Sequence, residues 1–167
     1  MKTILAILLI FSTAIAAQQR QSSAPDSENI PQSVRKTFTA KGLDKKYDLS
    51  FHLNPFYLRG DFNGDGKPDL ALLVKQTGSG KVGIAVIHST TNDVLFIGAG
   101  TETGNGGDNF DWMDYWYVYD KGVVGGGPGE KRAVRIKGEA LFVGKSESAS
   151  AVIYWNGTRY VWHQQGD

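Results

Sequence analysis

The feature that most restricts the fold of this chain is an acidic, glycine-rich turn between two apolar segments. Residues 61–69 read DFNGDGKPD, with an oxygen-bearing side chain at nearly every second position. Three carboxylates on one tight turn repel one another in the absence of a cation. Gly64 and Gly66 allow the backbone to curl, since glycine reaches left-handed dihedral angles without strain. The turn therefore predicts a metal-binding loop.

The ligand types in this loop favour calcium. Calcium takes roughly six to eight oxygen ligands, whereas magnesium prefers a smaller octahedral shell that keeps several waters. An EF-hand needs a glutamate at the twelfth position and a helix on each side. Leu72 occupies that position here, which excludes an EF-hand. A water would complete the shell around the predicted protein ligands, which are the side chains of Asp61, Asn63, Asp65 and Asp69 and the carbonyl of Lys67.

Strand periodicity dominates the chain after one short amphipathic helix, which is predicted at residues 31–40 with Val34 and Phe38 buried. A hairpin is predicted across Asn156 and Gly157, as a two-residue turn of this type needs positive φ at both positions. We predict a mostly β fold, either a single antiparallel β-sandwich or a curved sheet. The candidate strands are residues 47–53, 56–58, 70–74, 82–87, 94–97, 111–119, 133–136, 140–143, 151–155 and 158–162.

The acidic loop, with its pattern D-x-N-x-D-G-x-x-D-L, resembles the calcium loop of the FG-GAP and VCBS repeat families, in which it joins two strands. Those families usually carry many copies that build a propeller, and a propeller does not fit this length. The stretches NPFYLRGDFNGDGKPDLALLV and YWNGTRYVWHQQGD are similar to small exported bacterial proteins that carry one such loop. The resemblance implies calcium binding and implies no activity.

The first thirty residues predict export. Residues 1–17 are typical of a signal peptide, with one lysine, a short apolar run and a small-residue end. That run is too short for a membrane span. Residues 18–30 are predicted to form a disordered leader, and residues 31–167 a single β-rich domain. The expected localisation is periplasmic or secreted.

Charge and cysteine content exclude several classes of protein. Loss of Lys2 with the signal peptide leaves 17 basic and 17 acidic residues, which argues against nucleic-acid binding. The chain has no cysteine, so it has no disulfide or thiolate metal site. Because a ligand that binds only the folded state stabilises it, an ion is a plausible source of stability for such a protein.

The candidate binding surface lies in the second half of the chain. Alternation along residues 111–119 predicts Trp112, Trp116 and Val118 on one face, and a row of tyrosines on the other. One face is expected to be core and the other partly exposed, where aromatic rings suit a glycan or protein partner. Two glycine-rich loops, residues 98–107 and 122–129, are predicted to be long, mobile connections that form one mouth beside this strand.

Catalytic motifs are missing from the sequence. The histidines form no zinc array, and Glu102, Glu130 and Glu139 are expected to be solvated at the surface. We therefore predict a non-enzymatic, calcium-binding module with an unknown protein or glycan partner in the envelope or outside the cell; an inhibitor or immunity protein is one such module. The alternatives are a cell-wall or polysaccharide hydrolase, which needs two carboxylates converging in a cleft, and a structural envelope component.

Overall fold

A computed structural model describes residues 29–126 and 132–166, and it confirms a mostly β fold built from antiparallel sheets with one α-helix. The helix α1 spans Gln32–Ala40. Short 3-10 turns occur at Leu43–Lys45 and Gly104–Gly106. The strands are β1 Tyr47–Leu49, β2 Tyr57–Gly60, β3 Asp69–Gln76, β4 Val82–Ile87, β5 Val94–Gly98, β6 Tyr115–Tyr119, β7 Gly122–Val124, β8 Val134–Ile136, β9 Ala140–Gly144, β10 Ser150–Trp155 and β11 Tyr160–Gly166.

The first sheet contains five strands around a central β3. Its order is β1-β3-β4-β5, and β2 pairs with the same strand as β1. The registers place β1 opposite residues 74–76 and β2 opposite residues 69–72, so the two short strands lie end to end along one edge of β3. This arrangement sets the acidic loop at the corner where β2 turns into β3.

The second sheet has the order β11-β10-β9-β6, and a separate β7–β8 hairpin packs on its outer face. Inward-facing residues of the two sheets, including Leu73, Ile84, Trp116 and Ile153, form one core cluster, which Phe62 of the acidic loop joins. Alternate residues of β3 and β4 face the other way and pack against α1. The molecule is therefore a sandwich with a helix on one outer face and a hairpin on the other.

The helix confirms the predicted amphipathic segment, because Val34 and Phe38 are its buried residues. Ile30, however, is only 1% exposed and packs in the same cluster. The predicted disordered leader is therefore wrong at its last residue, since an apolar side chain beside the helix joins the core. The predicted signal peptide and residues 18–28 of the leader lie outside the described residues.

Three strand predictions need correction. The predicted strand 47–53 ends at Leu49. The predicted strand 111–119 begins only at Tyr115, because residues 111–113 form a turn in which the Met113 N–H donates to the Phe110 carbonyl at 3.2 Å. Residues 122–124, predicted as loop, form β7 through pairing with β8. The sequence of so short a segment shows no periodic signal, because its strand structure depends on pairing with residues up to 14 positions away, Gly122 with Ile136.

The last hairpin is confirmed, but its turn differs from the prediction. Trp155 pairs with Tyr160, which leaves four residues in the turn instead of two. The side-chain oxygen of Asn156 accepts the N–H groups of Thr158 and Arg159, each at 2.9 Å. An Asx-type cap of this kind stabilises a longer turn without positive φ at Asn156.

Candidate functional site

The acidic loop is a hairpin connection between β2 and β3. Gly60 pairs with Asp69 across its base, so the first and last predicted ligands lie at the ends of two hydrogen-bonded strands. Gly64 and Gly66 have φ of 75° and 85°, which agrees with the need for glycine at both positions. The loop connects strands, as the sequence predicted.

The side-chain oxygens of Asp61 and Asn63 share one backbone donor. Oδ1 of both residues accepts the Asp65 N–H at 2.9 Å. The other oxygen of Asp61 accepts the Gly66 N–H at 3.1 Å. The Asp65 carboxylate in turn accepts the Lys67 N–H at 2.8 Å. The loop therefore holds three of the predicted side-chain ligands in contact through shared donors.

The charge state of Asp65 follows from these bonds. Hydrogen bonds from the Thr90 hydroxyl and from the Lys67 N–H lower the pKa of its carboxyl group below the ordinary value. Donors that bind the ionised form favour it. Asp65 therefore carries a negative charge at neutral pH on the exposed side of the loop.

Asp69 has a different environment, since it is only 1% exposed. Its two oxygens accept the Ser89 N–H at 2.8 Å and the Asn63 N–H at 3.2 Å. Burial raises the pKa of this carboxyl group, and the hydrogen bonds partly offset the effect. Asp69 thus ties the loop to the residues that follow β4.

A polar contact between the sheets lies beside Asp69. The His88 Nε2 atom is 2.8 Å from the Tyr160 hydroxyl, and His88 is buried. Burial raises the pKa of Tyr160, and the nearby Asp69 charge adds to the effect. Tyr160 belongs to β11, so this pair links the loop end of the first sheet to the second sheet.

The structure joins four of the predicted ligands through backbone donors rather than around one point. Lys67 was predicted to contribute its carbonyl. It is exposed, and the structure shows its N–H group donating a hydrogen bond to Asp65. Within residues 29–126 and 132–166, no three His, Cys, Asp or Glu side chains form a group that could hold a metal ion. The donor chemistry, oxygen throughout, is that of a hard cation, and calcium binding stays a prediction.

Glu139 is a site residue that sequence reasoning missed. Its Oε2 atom accepts the Asp61 N–H at 2.6 Å, and its own N–H donates to the Asp61 carbonyl at 2.8 Å. The expectation that Glu139 is a solvated surface residue is therefore wrong. The partners are 78 residues apart, and only the packing of the two sheets brings them together.

The turn before β9 packs closely on the acidic loop. A Cβ atom on Gly138 would lie 2.6 Å from the Gly64 nitrogen, which real Cβ atoms do not tolerate. The two backbones are thus in direct contact. Together with the Asp61–Glu139 bonds, this contact attaches the acidic loop of the first sheet to the second sheet.

A cavity of about 630 Å³ opens beside this junction. Arg59, Lys67 and Lys121 contribute positive charges to its walls, and Asp120 and Glu139 contribute negative charges. Asp61 also lines it, so the start of the acidic loop faces this cleft.

The aromatic segment of residues 111–119, which contains β6, has the two faces that alternation predicted. Trp116 is buried in the core between the sheets, and Trp112 and Val118 pack against it. On the other face, Tyr117 is 46% exposed and stacks on Phe142 of β9 at a centroid distance of 4.7 Å. The same phenylalanine stacks with Tyr115 and Tyr119.

The described residues of the two glycine-rich loops, 98–107 and 122–126, do not form one mouth. Asn105 contacts Gln164, whereas the Gly125 carbonyl accepts from His163 and Gln165. Successive residues of a strand point to opposite faces. The first loop and residues 122–126 therefore contact β11 from opposite sides, and the predicted shared mouth is wrong for these residues.

Residues 108–110, directly after the first glycine-rich loop, are bonded to the first sheet. Lys81 forms an ion pair and hydrogen bond with Asp108, and the Asn109 side chain accepts the Val82 N–H at 2.9 Å. The Phe110 N–H donates to the Val82 carbonyl at 2.8 Å. These bonds attach residues 108–110 to the start of β4, so the chain leaves the loop at a fixed place on the first sheet.

Comparison with known proteins gives no match to a family model, a curated protein or a solved structure. Among the described residues, no helix has the length and apolar character needed to cross a membrane.

Proposed function

We propose that this protein is an exported, calcium-binding β-domain that acts as a binding module, and that its ion has a structural role. The observation that supports this role is the reciprocal pair of hydrogen bonds between Asp61 and Glu139. An ion bound to the acidic loop would stiffen the segment through which the two sheets contact each other.

The charges around the loop favour a cation. Asp61 and Asp65 are acidic, and Glu139 brings a third carboxylate to the Asp61 backbone. Backbone N–H groups offset part of this repulsion, but they are partial charges. A divalent cation that binds the folded loop stabilises the fold in proportion to the logarithm of its concentration over its Kd.

Thermal unfolding with calcium and with chelator tests the proposal. We expect calcium to raise the Tm of the wild-type protein, and Asp65→Ala to abolish the difference between the two conditions. Asp48→Ala is the matched control, because Asp48 is an exposed aspartate on β1, outside the loop. An unchanged calcium effect in Asp65→Ala would refute the site, and no calcium effect in the wild type would refute the ion.

Partner binding is tested separately by capture from the exported fraction, with calcium and with chelator. A binding module retains a specific protein or glycan, and that retention weakens in chelator if the ion fixes the binding surface. A protein that captures nothing in either condition fits a structural envelope component instead.

The charged cavity supports a second candidate, a hydrolase. Asp120 and Glu139 both line the cleft of about 630 Å³, and a pair of carboxylates is what glycoside hydrolysis requires. Release of reducing sugar from cell-wall or polysaccharide substrates, lost in Asp120→Asn, would support this candidate. The absence of product with any tested polymer would exclude it.

A further inference from the structure

A second cavity, of about 410 Å³, lies between the first glycine-rich loop and the second sheet. Its size falls within the usual range of about 300–1,000 Å³ for small-molecule sites. Its lining is chemically mixed, with aromatic, amide and cationic side chains. The lining residues are Asn105, Gly106, Trp112, Lys145, Ala149, Trp162 and Gln164.

The two tryptophans of this cavity are fixed in orientation. The Trp112 indole N–H donates to the Gly106 carbonyl at 3.1 Å, and that of Trp162 donates to the Gln164 side chain at 2.8 Å. Their ring centroids are 6.0 Å apart at an interplanar angle of 69°, and Phe110 contacts both rings. Since the indole N–H groups are satisfied and both rings stay half-buried, a ligand meets rigid apolar ring surface.

The glycine-rich loop keeps this surface in place. A Cβ atom on Gly106 would lie 2.5 Å from Cζ3 of Trp162, so the loop backbone rests directly on the ring. The ion pair between Lys81 and Asp108 attaches the residue after this loop to the first sheet. The cavity is therefore formed before a ligand arrives, which lowers the entropic cost of binding.

The lining chemistry suits a saccharide. Rigid indole rings offer apolar faces to the C–H surface of a pyranose, and the amide of Asn105 offers both a donor and an acceptor to hydroxyl groups. Among the described residues that line the cavity, Lys145 alone carries a charge. A lysine at the rim favours a sugar that bears a carboxylate over a neutral sugar.

The ligand is expected to be longer than one sugar. Trp162 also lines a neighbouring cavity of about 250 Å³, together with Glu102 and Arg159. The two cavities thus share one ring, with Gly104 in the second and Gly106 in the first. A chain of sugars that occupied one cavity would extend past Trp162 towards the other.

We propose that the cavity lined by Trp112 and Trp162 binds an acidic oligosaccharide, with the pyranose ring against the indoles and its carboxylate near Lys145. This inference rests on the proposed binding function, for which it names the partner class. It does not depend on calcium, because no residue of the acidic loop lines the cavity.

The test is a glycan array of acidic and neutral pyranose oligomers, followed by titration calorimetry with the best-bound acidic oligomer. Trp112→Ala is expected to weaken binding by at least about tenfold, equivalent to about 1.4 kcal/mol. Lys145 is exposed, so the Lys145→Gln variant should fold normally. It is expected to show a smaller preference for acidic over neutral oligomers. Tyr117→Ala is the matched control on the outer face of the second sheet, and it should bind like the wild type.

Three outcomes would overturn the inference: no array member bound by the wild type, equal affinity in Trp112→Ala, or a loss confined to Tyr117→Ala. Circular dichroism and Tm establish that each variant is folded. The calcium-dependent Tm shift is measured on the same samples. A normal calcium-dependent Tm shift without glycan binding refutes the saccharide site alone, and capture of a protein partner would then leave the proposed binding module in place. Glycan binding without a calcium-dependent Tm shift refutes the ion alone.

Discussion

The contact between Asp61 and Glu139 leads to a quantitative prediction for Glu139→Ala. The substitution removes the carboxylate that accepts the Asp61 N–H at 2.6 Å and leaves that N–H without its partner. A hydrogen bond to a charged group contributes about 1.5–3 kcal/mol to stability. Because Glu139 is half-buried rather than fully buried, we expect the free energy of unfolding to fall by about 1–2 kcal/mol.

Glu139→Gln separates the charge from the hydrogen bond. Its amide oxygen still accepts the N–H but lacks the charge, and charge-assisted bonds are roughly twice as strong as neutral ones. The expected loss is therefore about half that of Glu139→Ala. Glu102→Ala is the control, since Glu102 is exposed and lies away from the acidic loop.

Urea unfolding followed by tryptophan fluorescence measures these differences, in calcium and in chelator. For a domain of this size, 1 kcal/mol corresponds to roughly 3–5 °C in Tm, so a thermal melt gives an independent value. If Glu139→Ala loses no more than the ~0.5 kcal/mol of an ordinary surface substitution, the reasoning that the loop is held through Glu139 is refuted.

Two further substitutions test other contacts between the two sheets by thermal unfolding. Gly64→Ala should destabilise the protein more than Gly66→Ala. Both positions have positive φ, but only at Gly64 would the new Cβ lie 2.9 Å from a backbone nitrogen, that of Gly138 in the turn before β9. Equal losses of stability would mean that this contact is unimportant. Tyr160→Phe should cost about 1–3 kcal/mol by removing the hydroxyl partner of buried His88, whereas Tyr154→Phe on the outer face should cost little; similar losses in both would contradict a specific link between the sheets.

Local patterns in the sequence predicted most of the secondary structure. The apolar spacing of Val34 and Phe38 located α1, and alternation along the aromatic strand separated Trp116 from Tyr117. These predictions succeed because helix and strand periods decide which side chains share a face. Prediction failed where a side chain or a distant strand decided the local backbone, as in the Asn156 turn and in β7.

The sequence predicted the backbone shape of the acidic loop, but it did not predict which residues surround the loop. Alternating oxygen side chains and two glycines predicted a tight turn, and the turn has the required positive φ at Gly64 and Gly66. The burial of Asp69 and its bond to the Ser89 N–H depend on how β4 ends. The prediction of calcium binding rests on the ligand types, and the thermal melts with calcium and chelator test it.

The sequence by itself determined that the chain is mostly β, with one leading helix and an acidic turn between two strands, because each of these depends on residues close together in the chain. Only the tertiary structure decided that Glu139 holds the acidic loop and that Trp112 and Trp162 share a cavity. Both depend on packing between segments far apart in sequence, and no local period records which distant segments meet. The proposed sites for an ion and for a saccharide thus lie in different parts of one sandwich.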